Sequence, residues 1–278
     1  MKRCLAPVVA LLSAVLSKSH YVTQFARMVV RTHDNDGNAN MDTNGEKRVQ
    51  RLISSFSLPQ SVFVDVGANV GNWSAALAGS GAQGRLVAVD PLSRNLSSVR
   101  EKLEHLGWKK YDLCELALSE SPGRVKFFTN QDRALSSHDS LLDMRAIGYA
   151  ESVDCIEVST ETLDNLAARL DISDILFLKI DVEGNELSVL KGAAVLLGRG
   201  AVEFIQIEFG HAARAARVYL HDIVSFVGRY EYDMFIIKPN GLERLDFTPF
   251  TENRYAYVNL LIARRASLPK LRSDILQR

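Results

Sequence analysis

Two aspartates and two glycines stand at a spacing that can hold a small charged ligand. The run Asp65-Val66-Gly67-Ala68-Asn69-Val70-Gly71 follows an apolar stretch and leads directly into a helical pattern at Asn72-Trp73. On an open α/β sheet, ligands bind outside the carboxyl ends of the strands, and the first crossover loop is the usual place. Glycine at 67 and 71 lets the backbone pass close to a ligand where a Cβ would clash. A dinucleotide loop of the form G-x-G-x-x-G begun at Gly67 would require glycine at 69 and 72, and both are asparagine, so a pyrophosphate cradle is disfavoured. The spacing suits a ligand with an amino-acid part and no phosphates, because Asp65 can pair with an ammonium. Asp90 closes a second apolar run, Val87-Ala88-Val89-Asp90-Pro91, about 25 residues later, where a carboxylate can accept both hydroxyls of a ribose. The combination points to S-adenosylmethionine. Taken singly, each acid also has a plainer reading as a strand-end or helix-capping residue.

A second group of candidates follows a later strand. Lys179-Ile180-Asp181-Val182-Glu183-Gly184-Asn185-Glu186 places Asp181, Glu183 and Asn185 on the loop that would face the ligand. An alternating acid pair there can hold a proton, orient an acceptor or bind a divalent cation. The spacing does not choose among the three, so no metal is assigned. Glu186 fits the start of the following helix, where a carboxylate complements the helix dipole. Glu208 ends the next buried strand and is a candidate for the acceptor site, with Lys179 as a buried partner for one of these acids. His211, just after that strand, and His138, in Ser136-Ser137-His138-Asp139-Ser140, are alternative bases because imidazole titrates near neutrality.

These residues need elements to hold them. Residues 61–66 (SVFVDV), 86–89 (LVAV), 111–118, 175–180 (ILFLKI) and 202–209 (VEFIQIEF) are nearly continuous apolar runs, as expected for parallel strands covered on both faces. Helical patterns fall between them at 73–78, 95–106, 162–170 and 186–197. Alternating strand and helix implies an α/β, doubly wound sheet with right-handed crossovers. Two strand-like pieces, RVKFF at 124–128 and VDCIEV at 153–158, depart from the alternation and bracket a long loop from Thr129 to Ser152. Residues 232–237, a turn at Pro239-Asn240-Gly241-Leu242, and 257–263 read as a terminal antiparallel hairpin.

Composition sets outer bounds. The 278 residues carry 33 basic and 33 acidic side chains. A net charge of zero gives no whole-chain pull toward polyphosphate, so no nucleic-acid partner is expected. Cys4, Cys114 and Cys155 form no CxxC pair; they read as buried free thiols in a reducing compartment rather than as a disulfide framework. Residues 4–17 form a short apolar stretch after Met1-Lys2-Arg3, too short to span a bilayer. Their helical spacing fits a docked helix or a weak membrane-surface contact, with a secreted protein as the alternative to a cytoplasmic one. Residues 31–44 (RTHDNDGNANMDTN) are polar and aperiodic and read as a solvated linker.

The motifs DVGANVG, VDP and ALSESPGRVKFF, and above all ETLDNLAARLDISDILFLKIDVEGNELSVLKGAAVLL, resemble the FkbM family of S-adenosylmethionine-dependent methyltransferases from about Ser61 to Arg265. The resemblance implies the class I methyltransferase fold, a Rossmann-like, mostly parallel seven-stranded sheet, spanning residues 46–265. An N-terminal helix and linker (1–45) would precede it and a tail (266–278) would follow. It assigns Asp65, Gly67, Ala68, Asn69, Gly71, Asp90 and Pro91 to the cofactor, with Ala117 and Leu118 beside the adenine. The second strand ends here in Asp90 where many relatives carry Glu, which shortens the reach. The implied activity is methylation of a hydroxyl on a sugar, glycolipid or small natural product. N-methylation remains open because no motif encodes the acceptor atom. A NAD-dependent oxidoreductase is the remaining enzyme class, against which the missing glycines argue.

Overall fold

The computed structural model describes residues 13–129, 140–141, 154–245 and 257–277. Its centre is an eight-stranded sheet. In chain order its strands are β1 (Val62–Val66), β2 (Arg85–Val89), β3 (Tyr111–Cys114), β7 (Ile175–Ile180), β8 (Val202–Phe209), β9 (Tyr232–Lys238), β10 (Gly241–Arg244) and β11 (Val258–Arg264). The spatial order is β10-β9-β11-β8-β7-β1-β2-β3. Strands β3, β2, β1, β7 and β8 are parallel, whereas β11 runs antiparallel to both β8 and β9. The expected seven strands are therefore present, and β10 extends the sheet by one at its edge. The turn at Pro239-Asn240 joins β9 to β10, while β11 inserts between β8 and β9. Strand β1 lies between β2 and β7, so the winding direction reverses there, which is the position where such sheets open a crevice.

Side chains alternate across each strand. Val64, Val87, Leu178 and Ile205 face one layer of helices: α5 (Leu163–Arg169), α6 (Glu186–Lys191), α7 (Ala194–Gly198) and α9 (Leu220–Val227). Phe63, Leu86, Phe177 and Phe204 face the other: α2 (Glu46–Ser54), α3 (Asn72–Gly79), α4 (Ser93–His105) and the short α10 (Leu268–Leu271). Full burial of four large side chains in one row, each stabilising by roughly 1.5–3 kcal/mol, fixes the register of the central strands. On that second face the row changes character toward the carboxyl ends. Two residues beyond Phe63, Phe177 and Phe204 stand Asp65, Lys179 and Gln206, which lie level with one another across the sheet.

The stretch 111–118 is not one strand. Strand β3 ends at Cys114, the chain crosses over at Glu115-Leu116, and β4 (Ala117–Leu118) joins a separate three-stranded sheet of order β4-β6-β5. Strands β5 (Gly123–Thr129) and β6 (Asp154–Glu161) are the two pieces expected outside the alternation, and they pair antiparallel from Gly123↔Thr160 to Thr129↔Asp154. A strand-like run carries no mark of a change of sheet, which is why the sequence pattern joined 111–118. Cys114 is buried, but Cys155 is exposed, because the first half of β6 faces solvent. Cys4 lies outside the described residues.

Residues 31–44 are mostly exposed, with two buried asparagines among them. Helix α1 (His20–Asp34) takes in the first four, and the next residue, Asn35, adopts a left-handed cap conformation. Asn35 and Asn44 are buried. The Asn35 side-chain amide donates to the Asn44 and Ile237 carbonyls at 2.7 and 3.1 Å, so each polar group finds a partner that makes its burial tolerable. No helix among the described residues is long and apolar enough to cross a membrane.

Candidate active site

A cavity of about 570 Å³ opens at the carboxyl edge of the sheet beside the reversal point. Its floor is the polar row. Asp65 is fully buried and accepts a hydrogen bond from the Ser74 hydroxyl at 2.5 Å. Burial raises the Asp65 carboxyl to about 6, against the pull of Ser74 and of the Lys179 ammonium.

The loop after β1 takes its shape from three residues in left-handed backbone conformation, Gly67, Asn69 and Gly71. A Cβ on Gly67 would lie 1.8 Å from the Asp181 carbonyl oxygen, so this glycine lets the loops after β1 and β7 cross in contact. Asp90 holds the same loop from the side. Its carboxylate accepts from the Asn69 backbone N–H at 2.8 Å, the Leu92 N–H at 2.9 Å and the Asn95 amide at 3.0 Å. Asp90 is thus a tether within the protein, and a ligand hydroxyl must share a carboxylate already pinned in place.

Asp65, Gly67, Ala68, Asn69, Asp90, Pro91, Ala117 and Leu118 all line the cavity. Gly71 does not. It caps α3 in left-handed conformation, and a Cβ there would meet the Val99 Cα and side chain at 3.0 Å, so its role is the packing of the loop on α4. Sequence spacing cannot separate a glycine that faces a ligand from one that faces a helix.

The far side of the cavity is acidic. Asp181, Glu183, Glu208 and His211 line it together. The buried Lys179 ammonium donates to Asp181 at 3.1 Å. Burial alone would lower the Lys179 pKa, but the surrounding carboxylates of Asp181, Glu46 and Glu208 more than reverse this and keep it charged. Glu183 is raised to about 8, first by burial and then by the neighbouring Asp181 and Glu186 carboxylates. Glu183 also sits at φ +51, a conformation that costs a non-glycine residue energy. Glu208 is driven well above the usual carboxylate range by burial and by Asp181, despite a hydrogen bond from the Tyr257 hydroxyl. Glu186 begins α6 as expected, yet it turns inward and accepts from the Val182 and Gly184 N–H groups at 3.3 and 3.0 Å, clamping the loop that carries Glu183. Asn185 reaches across to the Leu118 carbonyl at 3.2 Å. His138 lies outside the described residues; from the same loop, Leu141 lines the cavity and Ser140 donates to the Glu183 carbonyl at 2.8 Å.

Oxygens of Asp181, Glu183 and Glu208 lie within 4.8 Å of one another, the one grouping among the described residues with a geometry open to a metal ion. Ala39, Met41, Glu46 and Tyr257 are among the lining residues that escaped the sequence reading. Glu46 is buried and accepts from the Asn44, Gln206 and Asn259 side-chain amides at 2.6, 2.6 and 3.1 Å. Its only signal in the sequence was an acid at the start of a helix, which has an ordinary explanation in the helix dipole.

The methyltransferase FkbM domain model matches residues 65–234. This chain belongs to the FkbM methyltransferase family. The matched stretch starts at Asp65 and ends within β9, so it holds the loops after β1 and β2 and the acid cluster, whereas Ala39, Met41, Glu46 and Tyr257 lie outside it. No curated protein sequence matches the chain. Among solved structures, the chain is similar to a magnesium protoporphyrin IX methyltransferase of Synechocystis PCC 6803 with bound S-adenosylmethionine, at 15% identity, 79% of this chain, 80% of the other and a TM-score of 0.41. It is also similar to a precorrin-6y C5,15-methyltransferase of Geobacter metallireducens (12%, 78% and 87%, TM-score 0.41). A third is an rRNA methylase of Streptococcus thermophilus (11%, 81% and 99%, TM-score 0.39). The family makes the protein an S-adenosylmethionine-dependent methyltransferase on a mostly parallel, doubly wound sheet.

Proposed function

We propose that the enzyme methylates a hydroxyl of a sugar, glycolipid or small natural product. The observation that carries this reading is the meeting of Glu183, Asp181 and Glu208 on the wall opposite Asp65 and Asp90, with Glu183 titrating near the working pH. Transfer to a hydroxyl needs a group that takes its proton as the oxygen attacks. A base is most effective when its pKa lies close to the ambient pH, which is where burial has moved Glu183. In this reading Asp65, Ala68, Asn69, Asp90, Pro91, Ala117 and Leu118 hold S-adenosylmethionine, which when bound supplies a methyl group on a sulfonium. With the methyl donor bound, the Glu183 carboxylate would take the proton of the acceptor hydroxyl as its oxygen attacks the methyl group. Lys179 holds Asp181 beside it, and Glu208 with Tyr257 orients the acceptor. The 140–141 segment covers the acceptor side. Unpaired Cys114 and Cys155 support a reducing, cytoplasmic setting.

The test has two arms. Calorimetry with S-adenosylmethionine should show binding that Asp90→Ala weakens strongly. Mass spectrometry of glycans and metabolites, with and without the enzyme, should reveal a methyl gain on oxygen with release of S-adenosylhomocysteine. No heat of binding would sink the cofactor assignment, and methyl gain on nitrogen alone would replace the hydroxyl reading by N-methylation.

A further inference from the structure

We infer that the open edge of β3 docks an extended acidic segment of a partner protein as an added strand. Strand β3 closes one end of the main sheet, next to β2. In a parallel pair, alternate residues of a strand turn their backbone groups to the neighbour. Here the Lys110 and Cys114 carbonyls accept from the Leu86 and Asp90 N–H groups at 2.9 and 3.2 Å, so Asp112 and Cys114 face β2 while Tyr111 and Leu113 face away from it. Among the described residues, no hydrogen bond reaches the N–H or C=O of Tyr111 or Leu113. Both residues border a groove of about 710 Å³ that runs along this edge.

Charge and hydrogen-bonding chemistry select the occupant. Arg100 on α4, Lys109 just before β3 and Arg169 at the end of α5 border the groove, and all three are exposed. Among the described residues none of them makes an ion pair. The acids of the groove do not cancel them. Asp112 is taken by Arg85 at 2.6 Å, which leaves Glu115 alone against three cations. Glu104 accepts from the Tyr111 hydroxyl at 2.9 Å and does not border the groove. Helices α4 and α5 cover opposite faces of the sheet, so Arg100 and Arg169 flank the edge from its two sides. An added strand turns successive side chains to those two sides, and adjacent acids on it would meet both guanidinium groups. A phosphate backbone offers acceptors alone and would leave the Tyr111 and Leu113 carbonyls unmet, whereas a peptide strand supplies both the donors and the acceptors that a sheet edge requires. A second copy of this chain paired through β3 would set the same cations against each other. The groove is also preformed. Arg85 bonds Asp112 and, at 2.8 Å, the Leu170 carbonyl, which fixes the end of α5 beside β3. Leu116 borders both this groove and the active-site cavity, so a docked partner lies next to the active site.

The probe is a capped hexapeptide, threonine and valine around two adjacent central glutamates, titrated into the full chain and followed by amide NMR. It should bind and shift the Tyr111 and Leu113 amides, and its counterpart with lysines in place of the glutamates should not. The double variant Arg100→Glu/Arg169→Glu should weaken binding by about tenfold or more with an unchanged Tm, since both side chains are exposed. Two further probes carry N-methyl groups on alternate backbone nitrogens, one in each register. One should bind and the other should not, because only one register of N–H groups faces β3. Equal binding of these two probes would overturn strand addition in favour of charge alone. Absence of binding by the parent probe would overturn the inference and leave the cations as guards of an exposed edge. A short oligouridylate that shifts the same amides more strongly than the peptide would overturn it as well, in favour of a phosphate backbone.

Discussion

Asp65 and Glu183 show how far burial, with neighbouring carboxylates added to it, can change a carboxyl group. Each is held in a place where its charged form is poorly solvated, and neither has a dedicated cation of its own; Lys179 is shared and bonds to Asp181. For Glu183 the consequence is kinetic. Glu183→Gln should lower kcat by roughly 10²–10⁴-fold, and the parent's kcat/KM should rise with pH through a midpoint near 8 that the variant lacks. A pH–rate profile that keeps the same midpoint in Glu183→Gln would move the base to another residue. For Asp65 the consequence is energetic. Its folded pKa of about 6 exceeds the ordinary 3.8, so between these values the unfolded chain ionises while the folded one stays protonated, and stability is lost as pH rises. Asp65→Asn removes that loss. It should stabilise the fold by about 1–3 kcal/mol at pH 7 with no gain below pH 4, as read by denaturant unfolding, and it should weaken cofactor binding.

At the scale of elements, the site is made where two loops cross. The loop after β1 passes against the loop after β7, and only an absent side chain at Gly67 permits the approach. Gly67→Ala would place a methyl group 1.8 Å from the Asp181 oxygen at a φ of +76. Left-handed strain of roughly 1–2 kcal/mol and overpacking of roughly 1–3 kcal/mol should together destabilise the protein, visible as a lower Tm, and should pull Asp181 out of line. Gly71→Ala strains the loop against Val99 instead. It should lower stability with a smaller effect on cofactor affinity, because Gly71 does not border the cavity. That contrast separates two glycines which one motif presents as equivalent. The apolar row Phe63, Phe177 and Phe204 carries the loops, and Phe177→Ala should cost about 3–5 kcal/mol in a chemical melt.

Over the whole molecule, the acid cluster gives an unusual pH dependence. Asp65, Glu186 and Glu183 titrate at about 6, 7 and 8, and Glu208 is raised as well. All four bind protons in the folded state that the unfolded chain has already released. The native form therefore holds more protons between about pH 4 and 8, and its stability falls as pH rises through this window. Urea midpoints should be lower at pH 8 than at pH 6, the reverse of a protein whose carboxylates are paired with cations. A midpoint that climbs from pH 6 to pH 8 would show that the cluster stays ionised. Glu46 has a tertiary role of its own. It lies far from Gln206 and Asn259 in sequence, yet it collects hydrogen bonds from both and faces the cavity. Glu46→Ala would leave Gln206 and Asn259 with buried amides to satisfy, each a loss of roughly 1–3 kcal/mol, and thermal unfolding should register it.

The sequence by itself determined the doubly wound sheet, the Asp65 to Asn69 loop, Asp90, and the gathering of Asp181, Glu183, Glu208 and His211 at one edge. These follow from local rules: apolar runs name strands, strand ends name loops, and parallel strands bring their carboxyl ends to a single side. Only the tertiary structure decided what each residue faces. It turned Gly71 toward α4, exposed Cys155, carried β4 into a second sheet, and brought Asn35, Asn44, Glu46 and Tyr257 from outside the matched stretch into the network around the cavity. Such contacts join residues distant in the chain, 213 positions apart in the case of Glu46 and Asn259. Periodicity within one segment holds no information about which distant surface will cover it, and burial by that surface is what sets the pKa values on which the chemistry depends.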